Sequence, residues 1–387
     1  MFIMEKPYAS EFFVDTIVQN EWPVLDNEAV SNSYIEEGAF NLCPSDVAVQ
    51  YYLKQEFPLI YSNSEHATAW VLENLPKSNL SSYIKLFKDK IAFRDFIKEL
   101  YPNFTYQSIA FSSLSAMKTN EIPFPVVLKP SIGFLSLGVH TIDNPSEWKA
   151  AISDIKQEMT YAEKIYSADV VNSSNFIMEE MINGEEYAVD AYFDRNGDVV
   201  ILNIYQHPLN DQKDVRDRIY VMSTQIMVRY MAKFAQTIRK IGELKDIRNL
   251  AIHAELKVTP DGDILPIEIN PMRFAGWCSA DVAKYAWGIN IYECFYNNIR
   301  PDWTEILSNA GREIFYFSMA EVPINVPAEK INDFDYENFL ANYSNVLEVR
   351  KIDYKIHPLF AVIFGSTTDE REIKKILSLN TKDYIIS

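Results

Sequence analysis

The chain has 387 residues, 48% hydrophobic and 23% charged, with a net charge of −18 at pH 7; that is a globular composition with room for roughly two or three domains. The acidic balance argues against a nucleic-acid binder, which would carry a basic surface. Cys43, Cys278 and Cys294 are far apart and form no CxxC pair, which argues against a disulfide framework or structural zinc and suits reduced thiols.

The opening "MFIMEKPYASEFF" lacks an apolar signal core, and no run of ~18 apolar residues follows. A cytoplasmic protein without a membrane segment is therefore expected. Residues 8–20 have helical apolar spacing. "WPVLDN" and "FPLIYSN" read as short buried strands, and "SEHATAWVLENLP" as a helix capped by Ser64 and ended before Pro76. This alternation predicts a small parallel α/β unit over residues 1–85. It has no GxGxxG, so a dinucleotide site there is unsupported.

"SYIKLFKDKIAFRDFIKELYP" reads as one long connecting helix. "TYQSIAF", "PFPVVLKP" and "LGVHTI" read as strands, followed by a helix with Pro145 near its start. "NFIMEEMI" is a strand, and the next stretch a hairpin around Asn196-Gly197. Residues 219–244 read as one or two helices and residues 279–298 as another. The segment from 311 mixes signals and holds no legible motif.

Four stretches carry chemistry. Lys129 ends a strand and precedes a loop with Gly133, Ser136 and Gly138, whose small residues would let backbone N–H groups approach phosphate; an ordinary strand–turn–strand is the alternative. Glu179 and Glu186 flank Asn183-Gly184, and read alone they are surface acids. Arg216 and Arg218 suit carboxylate or phosphate contacts, or a solvated charge cluster.

The fourth is "HAELKVTPDGDILPIEINPMRFAG". Asp261-Gly262 between alternating runs predicts a two-residue type I′ hairpin. That turn sets Glu255 opposite Glu268 and His253 opposite Asn270; a four-residue turn gives the same register, and a one-residue slip would break it. Facing carboxylates repel. Two acids and an amide oxygen suit Mg²⁺ or Mn²⁺, with a solvated acidic face as the alternative.

Taken together and in this order, these motifs resemble the ATP-grasp superfamily, and within it carboxylate–amine ligases of the L-amino acid ligase and D-alanine–D-alanine ligase kind. The resemblance runs from about Lys90 to Glu293. It implies an α/β fold with a Rossmann-like unit before two lobes that clamp ATP. The expected units are 1–85, a connector and small lobe at 86–182, a large lobe with the metal site at 183–310, and a C-terminal subdomain at 311–387.

The resemblance implies Glu255, Glu268 and Asn270 as metal ligands and Lys90 and Lys129 as phosphate-binding. Ser136 and Gly138 fall in a phosphate cover spanning 131–138. Glu179, Glu180, Met181 and Ile182 match the adenine acid and linker, and Glu186 the ribose acid. Arg273, Arg218 and His253 are the expected catalytic residues. The sequence departs from the family at Met272, which separates Asn270-Pro271 from Arg273, at Ala275 in place of a frequent glycine, and in a cover with Phe134, Leu135 and Leu137.

The implied activity is ADP-forming amide synthesis through an acylphosphate, using ATP and Mg²⁺ or Mn²⁺. The partners would be small-molecule carboxylates and amines, amino acids among them; no nucleic acid or membrane is expected, and a homodimer is the prior. A carboxylase with a non-amine acceptor and a non-catalytic nucleotide-binding module are the alternatives.

Overall fold

The computed structural model describes residues 1–31, 38–133, 138–165, 172–208, 218–323 and 326–386. The N-terminal unit contains β1 (Phe2–Ile3), α1 (Glu11–Gln19), β2 (Pro23–Leu25), α2 (Glu28–Ser31), β3 (Asn41–Cys43), α3 (Ser45–Tyr52), β4 (Tyr61–Ser62) and α4 (Ala67–Asn74). Its strands form a parallel sheet in the order β3-β2-β1-β4. Helix α4 begins at Ala67 rather than after Ser64. The Ser64 hydroxyl is used locally, accepting from the His66 backbone N–H and contacting its ring.

The expected single connecting helix is two, α5 (Asn79–Lys88) and α6 (Lys90–Ile97). Asp89 makes the break: its backbone is extended, and its carboxylate caps α6 by accepting from the N–H groups of Ile91 and Ala92. The break puts Lys90 at the first position of a new helix.

The small lobe is an antiparallel sheet in the order β5-β8-β6-β7, from β5 (Tyr106–Ala110), β6 (Val126–Ile132), β7 (His140–Ile142) and β8 (Asn172–Glu180), with α7 (Trp148–Ile165) between β7 and β8. Its core is separate and includes Leu114, Leu128, Trp148, Ile155 and Phe176.

The large sheet runs β13-β12-β9-β10-β11-β14-β17-β16. Its first part holds β9 (Glu185–Phe193), β10 (Val199–His207), β11 (Ile219–Met222), α8 (Thr224–Glu243), β12 (Leu250–Val258) and β13 (Ile264–Pro271). Residues 219–222 are thus strand, not helix. "IYVM" lies between β10 and β14 with all four residues buried, and helix starts only after Ser223 caps α8. Downstream, α9 (Val282–Trp287) and α10 (Ile291–Tyr296) replace one expected helix. Gly288, in the left-handed region, ends the first and Asn290 caps the second.

After α11 (Trp303–Asn309) come β14 (Ile314–Glu321), β15 (Asp333–Phe334), α12 (Tyr336–Leu340), β16 (Val346–Lys351), β17 (Leu359–Thr367), α13 (Glu370–Leu377) and β18 (Ile385–Ile386). Strands β14, β16 and β17 extend the large sheet, so the illegible C-terminal segment continues the same β structure. The N-terminal unit shares its core with the large sheet: Phe2, Phe13 and Tyr61 pack against Tyr292, Phe274 and Tyr296.

Candidate active site

One face of the large sheet carries the site, and strand register dictates who meets whom. In β12–β13, His253 pairs with Asn270 and Glu255 with Glu268, the expected register, but reached differently. The turn is not type I′. Gly262 is the one residue of the turn at positive φ, and the Thr259 and Asp263 backbones pair around three residues, a turn followed by a bulge-type glycine. That slips the pairing by one residue, so Lys257 faces Leu265. A β-bulge between Glu255 and Leu256, where Ile267 is the extra residue, restores it before the acids meet.

The neighbouring strands extend these pairs into rows. Lys257 faces Glu186, which faces His207; Glu255 faces Ala188, which faces Tyr205; His253 faces Asp190. Rows two residues apart lie ~7 Å from one another along the strands. The row nearest the β8–β9 linker thus holds Glu186, the next Glu255 with Glu268, and the third His253 with Asn270.

The repulsion between the acids is offset in three ways. Lys90 Nζ lies 3.0 Å from Glu268 Oε2. Asn270 Nδ2 lies 3.2 Å from Glu268 Oε1 and 3.4 Å from Glu255 Oε1. Burial would push the Glu268 carboxyl up, but Lys90, then Lys129, outweigh it and hold it at about 2. The amide bridges both acids. Turned about its terminal torsion, it presents Oδ1 to the same point, giving the all-oxygen donor set that a hard divalent cation requires.

Lys129 comes from β6. Its ammonium contacts Glu179 Oε1, and Arg94 Nε donates to Glu179 Oε2 at 2.8 Å. All three side chains are almost fully buried. Both oxygens of Glu179 are therefore engaged by cations. Burial opposes its ionisation, and Lys129 and Arg94 prevail, holding it at about 2. Glu179, expected as the adenine acid, thus sits in a buried triad with Lys129 and Arg94. The linker Glu180–Ile182 is half-buried, with the Glu180 N–H on Thr105 O and the Met181 N–H on Pro125 O. Gly184 follows where a Cβ would stand 2.3 Å from the Val258 carbonyl oxygen, so the linker needs glycine there.

Arg273 is turned toward the N-terminal unit. Met272, buried and at φ +68°, places its N–H on Ala251 O and its carbonyl under the Ser62 N–H. The left-handed residue lets the strand end and the arginine face Glu65: Nη2 and Nε lie 2.5 and 3.2 Å from Glu65 Oε1. Lys88 Nζ is 3.8 Å from the other oxygen. His253 Nδ1 lies 2.8 Å from Asp190 Oδ1, and Asp190 also accepts from Tyr205 and the Ala275 N–H. Its Nε2 is 4.0 Å from Glu255.

Arg218 makes its contacts elsewhere, donating to Leu377 O at 3.0 Å and facing Glu321. The Gly138 N–H rests on Glu158. Ser136 and Arg216, with Phe134, Leu135 and Leu137, lie outside the described residues. Four residues that sequence reasoning missed complete the centre: Arg94, Glu65, Asp190 and Lys257. Arg94 alone left a local signal, since it stands four residues after Lys90 on one helix face.

Residues 122–281 match the family model described as ATP-grasp domain. The chain has the ATP-grasp fold. Solved structures share its fold along nearly the full length. L-amino acid ligase from Bacillus licheniformis has 16% identity and a TM-score of 0.67, over 97% of this chain and 95% of the other. N5-carboxyaminoimidazole ribonucleotide synthetase from Thermotoga maritima has 15% and 0.61, over 97% and 96%. The biotin carboxylase domain of Hydrogenobacter thermophilus 2-oxoglutarate carboxylase, solved with MgADP, has 13% and 0.62, over 95% and 86%. No curated protein matches the chain in sequence. The α/β architecture agrees with the expected fold. Among its described residues, no helix is long and apolar enough to cross a membrane.

Proposed function

We propose that the protein is an ATP-dependent carboxylate–amine ligase that forms an amide through an acylphosphate and releases ADP and phosphate. The observation that carries this reading is the pairing of Glu255 with Glu268, closed by Asn270 and flanked by Lys90. The order of the rows supports it. From the linker outward come an acid suited to ribose, a divalent-cation donor set, then His253, with Arg273 just beyond the strand end. That is the order of ribose, bridging phosphates and transferred phosphoryl group in ATP.

A divalent cation on Glu255, Glu268 and Asn270 would draw charge off the β- and γ-phosphates. Lys90 supplies positive charge beside the same oxygens, and Lys129 does so from the small lobe by sharing itself between phosphate and Glu179. Arg273 retains guanidinium hydrogens not used by Glu65 or the Phe274 carbonyl. They are available to the phosphoryl group or to a substrate carboxylate. Asp190 fixes the His253 ring beside Glu255. The substrate carboxylate attacks the γ-phosphorus, the amine then displaces phosphate, and the protein's contribution is mainly positioning and charge.

A carboxylase reading has one specific support, the comparable likeness to a biotin carboxylase domain. Separating ADP from AMP after incubation with Mg²⁺-ATP and pools of amino acids or bicarbonate tests both. ADP released only with acid and amine pairs supports the ligase, and bicarbonate-dependent ADP release supports the carboxylase. AMP and pyrophosphate would contradict both.

A further inference from the structure

The row beside the linker contains more than the one acid. Glu186 lies between Lys257 on β12 and His207 on β10, each directly opposite it in register. His207 Nδ1 is 3.0 Å from Oε1, and Lys257 Nζ is 3.7 Å from Oε2. Each partner thus holds a different oxygen. An ionised carboxylate offers about four lone-pair sites, so both oxygens keep acceptor capacity after these contacts. Lys257 and the Glu186 side chain are each 18% exposed, and His207 only 3%. The acid keeps some exposed surface, while its buried orienting partner cannot swing away.

The imidazole is fixed from its other side too. It stacks on Tyr220 at 4.4 Å and 11°, and Tyr220 stacks on Phe317 at 5.0 Å and 20°. Strand alternation puts Lys257 on the same face as Glu255 and His253, and Glu185 beside Glu186 pairs with Val258 against the linker glycine. Lys257 is a cation on this face, one row from the acidic pair, and Glu186 is the acid it meets.

We propose that Lys257 and His207 are positioning residues for Glu186, holding its carboxylate in the one plane that offers an acceptor to each hydroxyl of a ribose 2′,3′-diol. The inference rests on the nucleotide-site reading above and adds to it a built selection for ribonucleotides. Hydrogen bonds to a charged acceptor discriminate strongly against a ligand lacking the donor. The carboxylate is competent for this only while its plane is held.

The test is equilibrium binding of Mg²⁺-ATP and Mg²⁺-2′,3′-dideoxy-ATP to the full chain, for wild type, Lys257→Met, Lys257→Arg and His207→Gln, with unfolding temperature measured beside each. Wild type should prefer ATP by about tenfold or more. Lys257→Met and His207→Gln should reduce that ratio to within about twofold by weakening ATP alone, and Lys257→Arg should largely restore it. A variant that keeps the wild-type ratio, or weakens both nucleotides equally, overturns the positioning role. Wild type with no preference overturns ribose reading by Glu186. Wild type that binds neither nucleotide overturns the nucleotide-site reading beneath it.

Discussion

At the scale of single residues the site is a set of opposed charges: Glu65 between Lys88 and Arg273, Glu268 on Lys90 beside Glu255, and Glu179 between Lys129 and Arg94. Glu268→Gln removes a candidate cation donor and the partner of Lys90. It should abolish ADP release at any Mg²⁺ concentration, and near-normal turnover would refute the site. Glu179 bears on stability instead. Its carboxyl is held at about 2, below the ~4.3 of an unperturbed glutamate. A depressed folded pKa contributes stability that is present above the unfolded value and lost as pH falls through the folded one. Denaturant midpoints should therefore drop between pH ~4.3 and about 2, and Glu179→Gln should flatten that drop while lowering stability at pH 7. Lys129→Met leaves Glu179 with Arg94 alone. Breaking a buried pair costs about 3–5 kcal/mol, so both melting temperature and ATP affinity should fall. Glu65→Gln should leave ATP affinity within about twofold yet lower kcat, since it loosens Arg273 and Lys88 rather than a nucleotide-binding residue. Equal losses in both would place Glu65 in nucleotide binding.

At the scale of elements, the β12–β13 hairpin shows what the sequence could and could not convey. Period-2 alternation on either side of Asp-Gly made the two strands and the faces of their acids legible. The turn type was not, and Glu255 meets Glu268 as expected because the slip the turn introduces is cancelled by the bulge at Ile267, which no local pattern announces. Asp89 was a readable cap hidden in a continuous apolar stripe. Ile219–Met222 is strand only because β10 and β14 lie on either side, a tertiary fact. Glu65 and Asp190 stayed invisible for the same reason, as their partners Arg273 and His253 lie far along the chain. Two glycines offer a contrast at this scale. Gly262 sits at φ +89° with open space around it, so Gly262→Ala should cost ~1 kcal/mol and leave ATP affinity unchanged. Gly184 faces a backbone oxygen that cannot move aside, so Gly184→Ala should displace the linker and weaken ATP binding markedly. Calorimetry on the two variants separates the effects.

At the scale of the molecule, three bodies of β structure meet at the site. The small lobe brings Lys129, the large sheet brings the acids and His253, and the N-terminal unit brings Glu65 to Arg273. The C-terminal strands lengthen the large sheet, and Arg218, expected in the centre, binds there instead. This convergence explains why the motif stretch from Lys90 onward was recognisable while its surroundings, Glu65 and Asp190 among them, were not: their proximity to Arg273 and His253 depends on the whole fold. The ligase reaction is tested most directly by one measurement, nucleotide products after incubation with Mg²⁺-ATP and paired pools of carboxylates and amines. ADP and phosphate that appear only when both an acid and an amine are present are the predicted result; AMP and pyrophosphate would contradict it.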